Sequence, residues 1–308
     1  MAARRRARRS VSDGSVELRQ LRTFAAVVRH RTVTDAAAAL ELAPSSVSQQ
    51  IRTLEAALGV ALFVRGGRGM QLTAAGRRLE GWARTLLAQA DAAVRDVREL
   101  RPVLRLGALA TIAEVYVPRV LARFARRRPD VDVDVHADGA RDGLLRGVLD
   151  GHLDAALLFD AGDGIGGLGF PAPAGALEHL DLEAVPLALV AAAGSPLARL
   201  DHVAAADLRG ERLLVNVPEC SFWLAGQRLL GDGPRRVRAG GVPVMRAWAE
   251  HGLGVALLPE FAVADSVAGG RLVRLPMHVP DLALRLVWRE DRQERAGIRD
   301  MLYAAARP

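Results

Sequence analysis

The sequence predicts an α/β protein in two parts. A small helical unit comes first, closed by a β-hairpin and a long helix, and a larger body of strands and helices follows. Three observations carry this expectation. Apolar residues recur every three or four positions from Leu18 to Leu58, interrupted by turn and capping residues. Two short apolar runs then flank Arg65-Gly66-Gly67-Arg68-Gly69, and a second three-four pattern continues to about Leu100. From Val103 onward, short buried-type runs alternate with helical stretches. A chain of 308 residues, half of them hydrophobic, is long enough for about two domains of 100–200 residues each.

Residues 1–15 read as a disordered basic arm carrying Arg4, Arg5, Arg6, Arg8 and Arg9. Leu18, Leu21, Phe24, Ala25 and Val28 fall at helical spacing. Thr34 suits an N-cap, with Asp35 in the first turn of a short alanine-rich helix that Ala43 and Pro44 interrupt. Ser45 can cap the next helix, whose Val47, Ile51, Leu54 and Leu58 form one apolar stripe up to Gly59. The opposite face carries Ser45, Ser48, Gln49 and Arg52. Two short helices joined by a tight turn, the second offering hydroxyls, amides and a guanidinium, describe a helix-turn-helix suited to base edges and phosphates. An ordinary helical hairpin would show the same pattern over these residues. The hairpin that follows argues against it, since Arg65 and Arg68 at a glycine-rich tip form a wing able to reach phosphates or the minor groove.

Thr73 is placed to cap a helix running to about Leu100. Its Leu79, Trp82, Leu86, Ala90, Ala93, Val97 and Leu100 approximate a heptad seam, which suits pairing with a second copy. Packing on the chain's own body is the alternative. A dimer would present two recognition helices to a two-fold related site.

In the body, Val103–Leu109 reads as a strand, residues 112–127 as a helix, and Val131, Val133 and Val135 as alternate positions of a half-buried strand. A helix near residues 143–150 leads to another buried strand over 153–159. This order implies a mostly parallel sheet, which binds ligands at the carboxyl ends of its strands: Ala110 and Thr111, Asp138 and Gly139, and Phe159. After a Gly- and Pro-rich loop (161–176), a second unit holds strands at 185–193, Leu213–Val217 and 256–258, and a helix opened by Ser221. The default ligand site is the cleft between the two, with Thr111 on one wall and Ser221, near Val217, on the other. Ser221 and the amides after it could hold an anionic group, although packing or capping would equally place a serine there.

Composition narrows the function. All 42 basic residues are arginine, against 35 acids, for a net charge of +7. Arginine in place of lysine fits a GC-rich genome, so location matters more than the total. Residues 1–101 hold 18 Arg and 9 acids, whereas 102–308 hold 24 Arg and 26 acids, which places the excess in the first third. One cysteine, Cys220, excludes an internal disulfide and reads as a small buried hydrophobe. No apolar stretch follows the arginines to make an export signal, and the longest near-apolar run contains Pro186 and is half the length a bilayer needs. A cytoplasmic protein without membrane contact is expected.

Enzyme chemistry finds little support. Gly162, Gly164 and Gly167 spell G-x-G-x-x-G after a strand, with Asp181 and Glu183 suitably downstream, but Pro171 and Pro173 occupy the place of the required helix. There is no G-x-S-x-G, no H-E-x-x-H and no metal-ligand spacing, so no catalytic residue, metal or cofactor is expected. A solute-binding protein remains an alternative for the body alone.

Val16-Glu17-Leu18-Arg19-Gln20-Leu21, Ala36 to Leu40, Ser48-Gln49-Gln50-Ile51 with Leu54-Glu55 and Leu58-Gly59, and Leu62-Phe63 through Arg68 to Leu72-Thr73 and Ala75-Gly76 resemble LysR-type transcriptional regulators. Gly252-Leu253-Gly254-Val255-Ala256-Leu257-Leu258-Pro259 is similar to that family's second subdomain. The resemblance implies a winged helix-turn-helix (residues 16–73), a dimerising linker helix (74–101) and a two-subdomain effector domain resembling periplasmic binding proteins (102–308). Subdomain I would comprise 102–175 and 271–308, and subdomain II 176–270. It further implies a double-stranded DNA operator, a small-molecule co-inducer, and homotetramers of two DNA-bound dimers. Carried across, DNA contacts fall on Thr34, Ser45, Ser46, Ser48, Gln49, Arg52, Arg65 and Arg68. Effector contacts are expected at Ala110, Thr111, Gly139, Phe159, Val217 and Ser221. Pro44 and Gln49 depart from the family's usual glutamine and arginine, and Gln49 would favour adenine over guanine.

Overall fold

A computed structural model of the chain describes residues 16–66, 69–98, 101–138, 140–172, 175–292 and 297–306, and the side chains of residues 65, 95, 96 and 98 lie outside that description. The basic arm, Gly67, Arg68, Leu100 and Gly139 therefore fall outside the described residues. The chain divides into two units, Met1–Arg98 and Glu99–Pro308.

The first unit holds α1 (Leu18–His30), α2 (Val33–Ala39), α3 (Pro44–Leu58), the antiparallel pair β1 (Phe63–Gly66) and β2 (Gly69–Leu72), and α4 (Ala74–Arg98). Local chemistry sets each boundary, with two differences from expectation. The N-cap of α2 is Thr32, two residues before Thr34: its Oγ1 accepts from the Asp35 amide at 3.0 Å and donates to the Asp35 carboxylate at 2.5 Å. The residue that fits the cap is the one three before an acid, and Thr32-Val33-Thr34-Asp35 meets that spacing at Thr32. Pro44, expected to precede the helix, is its first residue behind an Ala43 N-cap, and Ser45 makes no cap. Proline is tolerated there because the first-turn N–H has no intrahelical partner.

Leu21, Phe24, Val27, Ala36, Ala37, Val47, Ile51, Leu54, Leu62, Phe63 and Ala83 form the core of this unit. Leu58, expected in the stripe, is 37% exposed at the end of α3, beside the left-handed Gly59. Glu55 ties α3 to the hairpin by accepting from the Leu62 amide at 2.7 Å, and the Thr73 hydroxyl caps α4 through the Gly76 amide at 3.0 Å. Gly76 has no room for a side chain, since a Cβ would stand 2.2 Å from the Leu62 carbonyl oxygen. One face of α4 buries Ala83, Ala88 and Ala92, while Trp82 (68% exposed), Leu86, Val94 and Val97 (87% exposed) point to solvent.

The second unit contains two five-stranded sheets. The first, in order β4-β3-β5-β12-β6, comprises β3 (Val103–Leu109), β4 (Asp132–Asp138), β5 (Ala155–Asp160), β6 (Leu177–Val185) and β12 (Leu282–Arg289). The second, in order β11-β7-β10-β8-β9, comprises β7 (Leu187–Ala192), β8 (Arg212–Val215), β9 (Arg235–Arg238), β10 (Val255–Pro259) and β11 (Leu272–Arg274). Both sheets are mixed rather than mostly parallel. β3 pairs parallel with β4 and β5, but β12 runs antiparallel to β5 and β6; in the second sheet β8 pairs parallel with β9 and β10, and β7 antiparallel with β10 and β11.

The subdomain boundaries also shift. β6 belongs to the first sheet and β11 to the second, so the chain crosses at Pro186 and again over residues 275–281, instead of near 176 and 271. Both strands are poor in buried residues on one face, which leaves their sheet membership undecided by local pattern. The connecting helices are α5 (Ala110–Val115), α6 (Val117–Arg127), α7 (Arg141–Asp150), α8 (Ser221–Leu230), α9 (Val242–Glu250), α10 (Glu260–Ala268) and α11 (Ile298–Ala305). Buried residues of both sheets join one continuous apolar cluster.

Candidate nucleic-acid interface and ligand cleft

In the first unit, the exposed face of α3 and the start of α1 form an open groove lined by Glu17, Arg19, Gln20, Ser45, Ser46, Gln49, Gln50, Arg52 and Thr53. The apolar stripe of α3 turns Val47, Ile51 and Leu54 inward, which obliges the intervening polar residues to face out. Of the residues expected to contact DNA, Ser45, Ser46, Gln49 and Arg52 share this groove. Ser48 is half-buried outside its lining, and Thr34 is exposed on α2. The side chains of Arg65 and Arg68 lie outside the described residues. Sequence reasoning missed Arg19, whose guanidinium stands beside the Glu17 carboxylate at 2.5 Å; its place one residue into α1 gave no sign that α1 opens onto α3.

Gln49 is oriented by its neighbours. Its Oε1 accepts from Arg52 Nη2 at 2.9 Å, and its backbone carbonyl accepts from the Thr53 hydroxyl at 3.0 Å. Its Nε2 donates to the Thr53 hydroxyl at 3.5 Å, so both ends of the amide have a partner on α3. The two-point adenine contact expected of Gln49 uses the second lone pair of that oxygen and the second N–H of that nitrogen.

In the second unit, a cavity of about 220 Å³ is lined by Leu109, Ala110, Thr111, Glu114, Phe159, Asn216, Cys220, Ser221, Phe222, Gly241, Val242 and Pro243. It lies at the carboxyl ends of β3 and β5 of one sheet and of β8 of the other, where parallel strands leave a crevice. Ala110, Thr111, Phe159 and Ser221 meet here as expected. Val217 packs against the core without lining the cavity, and Gly139 lies outside the described residues. Glu114, three residues beyond Thr111 on α5, was missed although that helical spacing could have found it; Asn216 and Gly241–Pro243 at the start of α9 were missed because only the crossing of the chain between sheets brings them to Thr111.

Ser221 departs from its expected role. It is 1% exposed, and its hydroxyl donates to the Phe159 carbonyl at 3.1 Å, so its proton ties α8 to β5. Cys220 precedes it as the α8 N-cap. Burial pushes the Cys220 thiol up, and this outweighs the downward pull of the Phe222 and Trp223 amides and of Arg141. The group stays a neutral thiol, as expected of a small buried hydrophobe. In the cavity lining, Phe159 meets Phe222 (ring centroids 5.6 Å apart); Phe159 also meets Tyr116 (6.4 Å), and Tyr116 meets Phe261 at 5.5 Å. Burial first, then Glu183, raises the Tyr116 phenol, so it remains protonated.

The G-x-G-x-x-G segment has a structural use. Arg285, central in β12 and fully buried, donates to Asp181 at 2.5 Å, to Asp160 at 3.2 Å, and to the carbonyls of Gly164 at 2.6 Å and Gly162. Asp160 accepts from the amides of Ala161, Gly166 and Leu168, each at 2.8 Å. The loop's carbonyls face a cation and its amides face a carboxylate, which leaves no cradle for a pyrophosphate. Among the described residues no cluster of His, Cys, Asp or Glu could hold a metal, and no helix is long and apolar enough to cross a membrane.

Comparison with known proteins identifies both units. Residues 18–77 match the model of the bacterial regulatory helix-turn-helix protein, lysR family, and residues 98–307 match the LysR substrate binding domain. The chain is 32% identical to the HTH-type transcriptional regulator PtxR of Pseudomonas aeruginosa, covering 84% of this chain and 82% of that protein. It is 33% identical to a probable hydrogen peroxide-inducible genes activator of Streptomyces viridosporus, over 83% and 82% of the two chains. The fold is shared with full-length CbnR complexed with its target DNA, at 20% identity, a TM-score of 0.62, and coverage of 94% of this chain and 99% of that one. With its helix-turn-helix at the N-terminus and its substrate-binding domain behind, the chain belongs to the LysR family, and it is a DNA-binding transcriptional regulator under effector control.

Proposed function

We propose that the α1–α3 groove reads the operator and that the Thr111–Ser221 cavity receives the effector. The observation that carries the first reading is the meeting of Arg19, Ser45, Ser46, Gln49 and Arg52 on one exposed face built by a buried stripe. Arg19 and Arg52 supply charge for phosphates, and Gln49 and the serines supply hydrogen bonds for base edges. Thr34, Ser48, Arg65 and Arg68 complete the set of proposed DNA contacts. The exposed seam of α4 pairs two copies, and pairs of dimers form a tetramer. The protein works in the cytoplasm, where its operator is. An effector held between the two sheets favours one of their arrangements and so shifts an existing equilibrium of the DNA-bound assembly.

A selection from random duplex DNA tests the groove. Wild-type protein should enrich a two-fold related site. Gln49→Ala should relax one base position per half-site by about 1–3 kcal/mol, and Arg52→Ala should weaken binding to all sequences while lowering the salt slope by about 1. An identical enriched site for Gln49→Ala, with an unchanged slope for Arg52→Ala, would remove α3 from the interface.

A further inference from the structure

Two glutamines stand side by side in the sequence of α3, both line the α1–α3 groove, and their amides are held differently. Gln49 is exposed, and each end of its amide has a partner on α3. Gln50 is half-buried and reaches back to α1, where its Oε1 accepts from the Thr23 hydroxyl at 2.7 Å. Thr23 is 2% exposed. Its hydroxyl needs an acceptor there, because burial has taken away its bond to water.

That need fixes which way the Gln50 amide points. Thr53 gives its hydroxyl to the carbonyl four residues before it, and Thr23 makes no such bond within α1. Among the described residues, the Gln50 oxygen is the acceptor that Thr23 has. A turned amide would set its own N–H against the Thr23 oxygen and leave the hydroxyl proton without a partner. The nitrogen is therefore the outer end. Nε2 has no protein partner among the described residues and is not a buried atom, so it opens onto the groove that Gln50 lines.

We infer that Gln50 is a base reader of fixed polarity, which leads with N–H donors and selects a keto base, guanine or thymine, at one position of each half-site. This rests on the groove being the face that reads the operator. In the major groove guanine offers O6 and N7 as acceptors and thymine offers O4, whereas cytosine offers only its amino donor. Adenine, with an acceptor beside a donor, falls between them. A glutamine free to turn would offer its oxygen to the cytosine amino group, so orientation is what excludes cytosine. Thr23 is then a positioning residue. It lies buried in α1 behind the groove and acts on the operator through Gln50 alone.

The test is selection from random double-stranded DNA by the full chain and its variants. Wild type should keep guanine or thymine at the Gln50 position and disfavour cytosine about tenfold. Gln50→Glu keeps the shape and the bond from Thr23 but turns the outer donor into an acceptor. It should exchange the preferred base for cytosine or adenine, whose amino groups donate. Gln50→Leu, with no donor, should lose the preference without gaining cytosine. Thr23→Val, close in shape, frees the amide to turn and should raise the share of cytosine. Enrichment of the wild-type bases by Gln50→Glu, whether or not its overall affinity falls, would overturn the base-reading role. Should the glutamate variant bind no sequence, a keto preference retained by Gln50→Leu overturns it equally. An unchanged preference in Thr23→Val removes the positioning role. If Gln49→Ala or Arg52→Ala alters the enriched site or the salt slope while both Gln50 variants leave them as they are, the groove still reads the operator and Gln50 does not. If none of the four has an effect, the groove reading falls as well.

Discussion

Arg285 satisfies its donors with two aspartates and two glycine carbonyls, and it clamps the loop after β5 onto the sheet. Removing it strands the buried Asp160 carboxylate, the situation in which breaking an ion pair costs about 3–5 kcal/mol. Arg285→Ala should therefore lower the urea midpoint of the effector domain by the equivalent of that loss, and a loss below about 1 kcal/mol would show the clamp to be dispensable. The sequence offered little warning of this group. Arg285 sits between Leu284 and Leu286 in what reads as a buried strand, and a charge inside such a run signals a buried pair only once its partners are known. Those partners, Asp160 and Asp181, are more than a hundred positions away.

At the scale of elements, α4 shows how a helix can satisfy one face and leave the other exposed. Alanines at 83, 88 and 92 are buried, while Trp82, Leu86 and Val97 face solvent. An exposed tryptophan on an apolar seam is costly in water, and a second copy of the helix would cover it. Trp82→Glu combined with Val97→Glu should leave the fold intact, since neither residue is in the core. Because a tryptophan anchor is worth about 2 kcal/mol or more, dimer affinity measured by sedimentation should fall some thirtyfold or further. An unchanged dimer would place the interface elsewhere. The apolar repeat along α4 is a local pattern that the sequence shows, although Leu79, expected in the seam, packs against the unit's own core. The cap of α2 was misplaced by two residues because Thr32 and Thr34 are both plausible caps, and only the hydrogen bonds to Asp35 separate them.

Across the whole molecule, charge is divided by task. The first 101 residues carry the positive excess and the rest is slightly acidic, as suits a DNA-facing unit joined to a sensing body. Acid should expose the body's dependence on its ion pairs. Hydrogen bonding from Ser266, then Arg271, lowers the Glu250 carboxyl; Arg128 lowers Asp130, and Arg289 lowers Asp291. Folding lowers all three, so the unfolded chain takes up protons first as pH falls. Their contribution is complete above the ordinary carboxylate range and is lost as pH drops through it toward the lowered folded values. The melting temperature should hold near neutrality and fall below about pH 4–5. Glu250→Gln should flatten part of that fall, and an identical pH profile would exclude Glu250 as a contributor.

The sequence by itself determined the local elements and their kind: the α1–α3 spacing, the hairpin, the exposed face of Ser45, Gln49 and Arg52, and the strand–helix alternation of the body. Each rests on periodicity and capping, which act over a few residues. Tertiary structure alone decided that β6 joins the first sheet and β11 the second, that Asn216 and Gly241 face Thr111 across one cavity, and that Ser221 is a strap. It also decided that the glycines at 162 and 164 offer their carbonyls to Arg285. These are long-range pairings, settled by which buried groups find partners once the chain has crossed between its sheets, and no local pattern encodes that outcome.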